Sequence, residues 1–375
     1  MHRAPWSPES ERLSRRRFLN QASQWSALLA AYPLIPLEGL DGPLADGSRV
    51  AQAPVVDKGF ASIRKIGDGL YATISDISKG LTTMCNGGFL FGKDAGLLVE
   101  GFVSTAGAAF QYETFRSLSK APVMGGLDTH YHFDHCCGNA FYGANGIALW
   151  AHAATARRIY ENYAAMQAAD RSAVVGPLEA RAKDAKTEAA RKHGAEYAAT
   201  VGNIYNMTSA SVLALPNRAL DPAKLPVKLD LGGLTALVES YPGHSGTDLV
   251  VRVPEQNVAY AGDLLFNGMY PVTFDDQATI SGWRSTLKTF LSWGKDTVFV
   301  PGHGQICGPE GVRMSLDLFE DIAAQAEKFK QAGMAAEEAA DAYVVPERFK
   351  TVAIFAWQFS IGPTITKLYK EWGAK

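Results

Sequence analysis

The sequence predicts an α/β protein built as two sheets packed face to face with helices outside. Three observations lead there. Short β-patterned runs fall into two groups, separated and followed by helix-patterned sequence. Both groups deliver polar residues beside glycines at the ends of strands. The bulk composition is that of a globular chain, 47% hydrophobic and 20% charged over 375 residues, long enough to bury a full core. A net charge of −2 gives a nucleic-acid partner no electrostatic support. Beyond the N-terminus no apolar run reaches the roughly 18 residues that a membrane span needs, so no integral span is expected after processing.

Residues 1–53 are read as a leader and 54–375 as one domain. Ser14-Arg15-Arg16-Arg17-Phe18-Leu19-Asn20 resembles a twin-arginine export signal, with Asn20 where lysine is usual. A weakly apolar stretch from Trp25 to Leu37, broken by Pro33 and Pro36, follows it, and Ala51-Gln52-Ala53 offers a small-x-small cleavage site. The expectation is export to the periplasm through the twin-arginine machinery. The four cysteines, Cys85, Cys136, Cys137 and Cys307, match no zinc-finger or redox spacing, and a domain of this size does not need disulfides.

Strands are expected at Ser62–Ile66, Leu70–Ile77, Gly88–Gly92 and Leu97–Glu100, with turns at Gly67-Asp68-Gly69 and Lys93–Gly96. Thr105–Leu118 has helical periodicity. Pro122–Leu127 is a strand feeding a loop, and Gly146–Ala151 a strand ending at His152. A helical insertion occupies about 153–225, its Ala-, Glu-, Lys- and Arg-rich part running to Ser209 with a break near Val175-Gly176-Pro177. Strands resume at Val227–Leu229, Ala236–Ser240, Leu249–Val253 and Val258–Ala261. A helix near Gly282–Trp293 leads to strand Thr297–Val300, and helices fill about 309–375.

The chemistry concentrates in Thr129–Asn139, THYHFDHCCGN, where His130, His132, Asp134 and His135 crowd into one loop. Imidazoles and a carboxylate gain little from such crowding unless a cation sits among them. Pro242-Gly243-His244, Gly262-Asp263 and Pro301-Gly302-His303 each follow a β-run. With the loop they gather five of the eight histidines. Nitrogen and carboxylate donors suit zinc, and also iron, manganese or nickel. Seven donors exceed the needs of one tetrahedral ion and match two ions sharing a carboxylate.

In this order the motifs resemble the metallo-β-lactamase superfamily, over roughly Ile63 to Cys307. The resemblance implies an αββα four-layer sandwich with a metal site at one edge of the two sheets. It implies that His130, His132 and His244 hold one Zn²⁺, that Asp134, His135 and His303 hold a second, and that Asp263 bridges them. Asn86-Gly87-Gly88-Phe89 and Leu97–Glu100 also resemble family strands, with Glu100 where aspartate is frequent. The implied chemistry is hydrolysis: a hydroxide between two cations attacks the carbonyl of a small-molecule ester, lactone or thioester, with Asp134 orienting it and shuttling its proton. Asp263 stands where zinc β-lactamases carry Cys or Ser, which places the ligand set nearer glyoxalase II and lactonases. β-Lactam hydrolysis and a mononuclear iron persulfide dioxygenase-like oxidoreductase are the alternatives. Asn267 and Tyr270 follow Asp263 on a loop from which either could donate to an oxyanion. His152 is read as a supporting or structural residue, His193 as a solvated helix residue, and Cys136 and Cys137 as small buried packing residues. The insertion is a candidate lid or homo-oligomer surface.

Overall fold

The structure, a computed structural model, describes residues 53–373. The leader lies outside the described residues apart from Ala53. The first sheet follows the chain: β1 (Val56–Asp57), β2 (Ala61–Gly67), β3 (Leu70–Ser75), β4 (Gly87–Phe91), β5 (Gly96–Val99), β6 (Val123–Leu127), β7 (Leu149–His152) and β8 (Arg218–Leu220). β1 to β5 pair antiparallel, and β5 to β8 pair parallel. The second sheet comprises β9 (Val227–Asp230), β10 (Thr235–Ser240), β11 (Leu249–Val253), β12 (Val258–Phe266) and β13 (Val298–His303), in the order β13-β12-β11-β10-β9. Only β12 and β13 pair parallel there.

Strand alternation assigns each side chain to a layer. Leu90, Leu97 and Val99 of the first sheet meet Leu249, Val251 and Tyr260 of the second in the core between the sheets. Their neighbours Phe89 and Leu98 point the other way, onto helix α1 (Thr105–Leu118), where Phe115 packs edge-on against Phe89 at 5.8 Å. Val250, Ala259 and Leu265 likewise face outward. Helices α4 (Ile280–Leu291), α5 (Pro309–Gln331) and α6 (Ile361–Glu371) cover them with Trp283, Leu287, Phe319 and Ile365. Burial on both faces explains why LVVRV and VAYAGDLLF read as nearly continuous apolar runs. Each such side chain contributes about 1.5–3 kcal/mol. Ser104 caps α1, its hydroxyl accepting from the Gly107 amide at 3.2 Å.

The insertion departs from expectation in two places. Helix α2 (Arg171–Asp184) runs through Pro177, and the breaks fall at Ala169 and Ala185, both extended. Proline removes one helix hydrogen bond. Helix α3 (Glu188–Ser209) packs so closely on α2 that a Cβ at Gly194 would lie 3.0 Å from Ala182, and that packing holds the helix together. The second departure is β8: the end of the segment read as helical joins the first sheet, parallel to β7. Among the described residues no helix is long and apolar enough to cross a membrane.

Candidate metal centre

The site forms where loops leave one edge of both sheets. β6 ends at Leu127, and the chain turns through Thr129 to a one-turn helix, Phe133–Cys136, with His132 at its N-cap. This turn sends His130 and His132 one way, and Asp134 and His135 another. His244 follows β10 in a loop folded around Asp248, whose carboxylate accepts from the His244 and Ser245 amides at 2.8 and 2.9 Å. Burial raises Asp248 to about 6, against those hydrogen bonds. Asp263 does not follow a strand, as expected, but lies inside β12, which continues to Phe266. The register against β13 shifts at Gly262, whose φ of +52° turns the chain and re-aims Asp263. His303 ends β13.

All seven expected donors converge. His130, His132, His244 and Asp263 form one group of mutually close donor atoms, and Asp134, His135 and His303 form a second. Asp263 faces both. Its Oδ2 lies 3.4 Å from His244 Nε2 and 3.8 Å from His130 Nε2. Its Oδ1 lies 3.2 Å from His135 Nε2 and 3.4 Å from His303 Nε2. Asp134 Oδ2 stands 3.2 Å from His303 Nε2 and 3.5 Å from His135 Nε2.

Outer partners fix the tautomers, and the tautomers test whether a cation belongs here. The Thr129 hydroxyl donates to Glu100 Oε1 at 2.5 Å, so it accepts from His130 Nδ1 at 3.1 Å. The Val272 carbonyl can only accept, and does so from His244 Nδ1 at 2.9 Å. The Asp275 carboxylate accepts from His132 Nε2 at 3.2 Å. With the three rings neutral, three bare lone pairs meet: His132 Nδ1 is 3.1 Å from His130 Nε2 and 2.8 Å from His244 Nε2. Such an arrangement is repulsive without a positive charge at its centre. In the second group, both His135 ring nitrogens and Asp263 Oδ1 are buried without a hydrogen-bond partner. Three nitrogens and a carboxylate oxygen on one side, and two nitrogens and carboxylate oxygens on the other, fit zinc in each group.

Electrostatics separate the groups. Burial holds His130 well below the usual imidazole range and His244 down at about 3. For His303 burial is outweighed by Asp263 and Asp134, which raise it to about 9. His135 also stands well above its usual value: burial is outweighed by the Cys85 sulfur and the carboxylates of Asp263, Glu100 and Asp134. Asp263 is in turn held well below the carboxylate range, against burial, by His303 and His135.

Several supporting residues escaped the sequence reading. Asp275 accepts from His132, from Tyr131 Oη and from Arg158 Nη2, which lies 3.2 Å away. Arg158 comes from the insertion, so that segment braces the site as well as flanking it. Only the adjacent pair Asp275-Asp276 hinted at this. Glu100 now has a role: its carboxylate holds Thr129 and lies 3.2 Å from His135 Nδ1, on a backbone with φ of 74°. Other readings are corrected. Asn267 donates to the Gln305 carbonyl at 2.9 Å, and the Tyr270 hydroxyl pairs with that of Tyr343 at 3.3 Å in the helical core, so Tyr270 faces away from the site. His193 is not simply solvated: it stacks on Trp357 at 4.6 Å and pairs with Asp341. His152 accepts from the Ala154 amide and stays structural. Cys136 and Cys137 are buried packing residues as expected.

Beside the metal groups opens a cleft of about 920 Å³, its open mouth included, with His132, Asp134, Asp263 and His303 along one wall.

An αββα sandwich with this donor set defines a class of metal-binding proteins, and comparison places the chain within it. Residues 82–303 match the metallo-beta-lactamase superfamily, and the chain belongs to that superfamily. No curated protein matches the chain. A metallo-beta-lactamase from Pontibacter korlensis is 15% identical, with a TM-score of 0.48 over 69% of this chain and 98% of its own. One from Erythrobacter litoralis is 16% identical, with a TM-score of 0.47 over 71% of this chain and 99% of its own. The stereoselective inverting sec-alkylsulfatase from Pseudomonas sp. is 14% identical, with a TM-score of 0.57 over 95% of this chain and 62% of its own. At these identities the likeness is one of fold.

Proposed function

We propose that the chain is a dinuclear, zinc-dependent hydrolase that cleaves the carbonyl bond of a small-molecule ester, lactone or thioester. The observation that carries this reading is Asp263, whose two oxygens divide between the two donor groups, Oδ2 toward His130 and His244 and Oδ1 toward His135 and His303. That is the disposition of a carboxylate shared by two cations. Two bound zinc ions would supply a water of lowered pKa and polarisation of the substrate carbonyl.

The chain's own residues do the rest. His130 Nε2, His132 Nδ1 and His244 Nε2 are presented as neutral donors by Thr129, Asp275 and Val272, so a cation binds without displacing a proton from them. Asp134 Oδ2 sits at the cleft wall between His135 and His303, where it can accept a proton from an attacking water and return it to the leaving group. Phe133, Phe266 and Met269 line the cleft beside it and exclude bulk water from the reacting bond.

Metal analysis of protein purified without added metal, with a panel of lactone, thioester, aryl ester, β-lactam and sec-alkyl sulfate substrates, tests the reading. Two zinc ions per chain with turnover of a carbonyl substrate are expected. One iron per chain, with oxygen consumed on glutathione persulfide, overturns it in favour of an oxidoreductase. His130→Ala should remove one metal and abolish turnover. We also propose export to the periplasm on the strength of the run Ser14–Asn20. Replacing Arg15-Arg16-Arg17 by lysines should leave the chain in the cytoplasmic fraction.

A further inference from the structure

The metal centre occupies only one wall of its cleft, and the other walls identify what the substrate carries besides its reacting bond. Ile77, Leu81 and Met84 come from the loop after β3, Ile204 from α3 of the insertion, and Phe355 and Phe359 from the segment before α6. Phe355 and Phe359 lie beyond residue 303, outside the matched superfamily region. Ile77 and Leu81 precede it, so four of the six wall residues come from segments that flank the matched region, while Met84 and Ile204 lie within it. Among the described residues, no charged side chain lines the cleft apart from the metal-facing His132, Asp134, Asp263 and His303.

Its few polar side chains are mostly turned inward. The Asn86 amide donates to the Pro301 and Gly304 carbonyls at 3.0 and 2.7 Å and accepts from the Ser75 amide at 2.9 Å. The Ser75 hydroxyl pairs with Thr83 at 2.8 Å. Gln305 adds an amide beside His303, but a carboxylate, phosphate or ammonium group seated against the apolar wall, away from Gln305 and the metals, would be buried there without a partner, which costs several kcal/mol. A hydrocarbon group meets matching walls. Because Leu81, Met84 and Phe359 are buried yet face the cleft, the slot encloses its occupant instead of leaving it on a surface.

We propose that the substrate of this site carries an uncharged hydrocarbon group of several carbons, alkyl or aryl, seated against Ile77, Leu81, Met84, Ile204, Phe355 and Phe359. The inference rests on the hydrolase reading for what happens to that substrate, but not for what the slot binds. The slot selects against substrates whose non-reacting part is ionic, glutathione conjugates among them.

Two measurements separate the claims. The first is calorimetric titration of the metal-free protein with n-alkanols from butanol to octanol, which requires no turnover. Affinity should rise about four-fold per added methylene, the effect of burying one CH₂. The second follows kcat/KM of the zinc-loaded protein on p-nitrophenyl esters and aryl thioesters with acyl chains of two to eight carbons, each paired with its ω-carboxylate. The same rise is expected, with at least a ten-fold preference for the uncharged partner. Ile204→Lys should flatten both series at unchanged zinc content.

A flat alkanol series, or a preference for the ω-carboxylates, overturns the proposal. Hydrolysis without chain-length dependence overturns it while leaving the hydrolase reading intact. A steep alkanol series with no ester or thioester hydrolysed supports the slot and sinks the hydrolase reading instead.

Discussion

Replacing Asp275 by asparagine keeps the shape of a buried side chain while removing what its neighbours require of it. The carboxylate is acceptor-only and takes four donors: His132 Nε2 at 3.2 Å, Tyr131 Oη, Arg158 Nη2 at 3.2 Å, and the Gln277 amide at 2.7 Å. It lies well below the carboxylate range, where these hydrogen bonds outweigh burial, and is ionised throughout the useful pH range. An asparagine must turn an NH₂ toward one side. If that group replaces Oδ2, His132 Nε2 meets a donor, the ring takes the other tautomer, and a proton appears on Nδ1 where the metal should sit. If it replaces Oδ1, the Gln277 amide is left unpaired.

Loss of such a supporting carboxylate costs 10–100-fold in metal affinity, about 1.4–2.8 kcal/mol, and the tautomer conflict points to the upper end. The metal-free fold should lose about 2–3 kcal/mol as well, the worth of one or two charge-assisted hydrogen bonds, because Arg158 keeps Asp276. Competition with a chromophoric chelator measures the first quantity and urea titration the second. Asp276→Asn, at an exposed position, is the control and should leave the metal affinity unchanged. An Asp275→Asn protein that binds its tighter zinc within three-fold of wild type would refute the tautomer argument.

Other expectations concern the second group and the backbone beneath it. His303 has a folded pKa raised from its ordinary value to about 9, so its contribution to metal-free stability is full below about pH 6.5 and is lost as pH rises to about 9. The melting temperature of the metal-free protein should accordingly receive a falling contribution over that window, and zinc uptake at pH 7 should release protons from His303 and His135, seen as buffer-dependent heats. Uptake without proton release at pH 7 would contradict the assignment of both histidines to the second group. Glu100→Gln weakens the hold on Thr129 and His135, and should lower zinc affinity about ten-fold, measured by the same competition assay. Gly302→Ala would put a Cβ 1.9 Å from Asp263 Oδ1. It should displace the shared carboxylate and reduce zinc to at most one ion per chain by elemental analysis.

The seven candidate donors were legible because each motif is local: four crowd into one loop, and three stand beside a glycine after a β-run, in an order that resembles the metallo-β-lactamase superfamily. The two sheets were legible from their β-patterned runs, with boundaries displaced by up to three residues outside β12, and the short β1 and β8 were not read. The exceptions have physical causes. β12 was read as ending at Ala261 because Gly262-Asp263 looks like a turn, whereas pairing with β13 carries the strand on through a bulge. Pro177 was read as a break because the loss of one hydrogen bond is visible in a sequence and the packing of α2 on α3 is not.

By itself, the sequence determined which atoms could hold metal and roughly which strands carry them, since ligand type and strand period are properties of neighbouring residues. Only the tertiary structure decided how those atoms are prepared and what surrounds them. The partners that set the tautomers of His130, His132 and His244, namely Thr129, Asp275 and Val272, have no spacing that marks them. Asp275 and the Arg158 that braces it are separated by 117 residues. The cleft draws its walls from the loop after β3, from α3 and from the segment before α6, which no local pattern in the sequence links. Burial, lone-pair direction and the enclosure of a slot exist only once distant segments meet, and they bear on what the site binds.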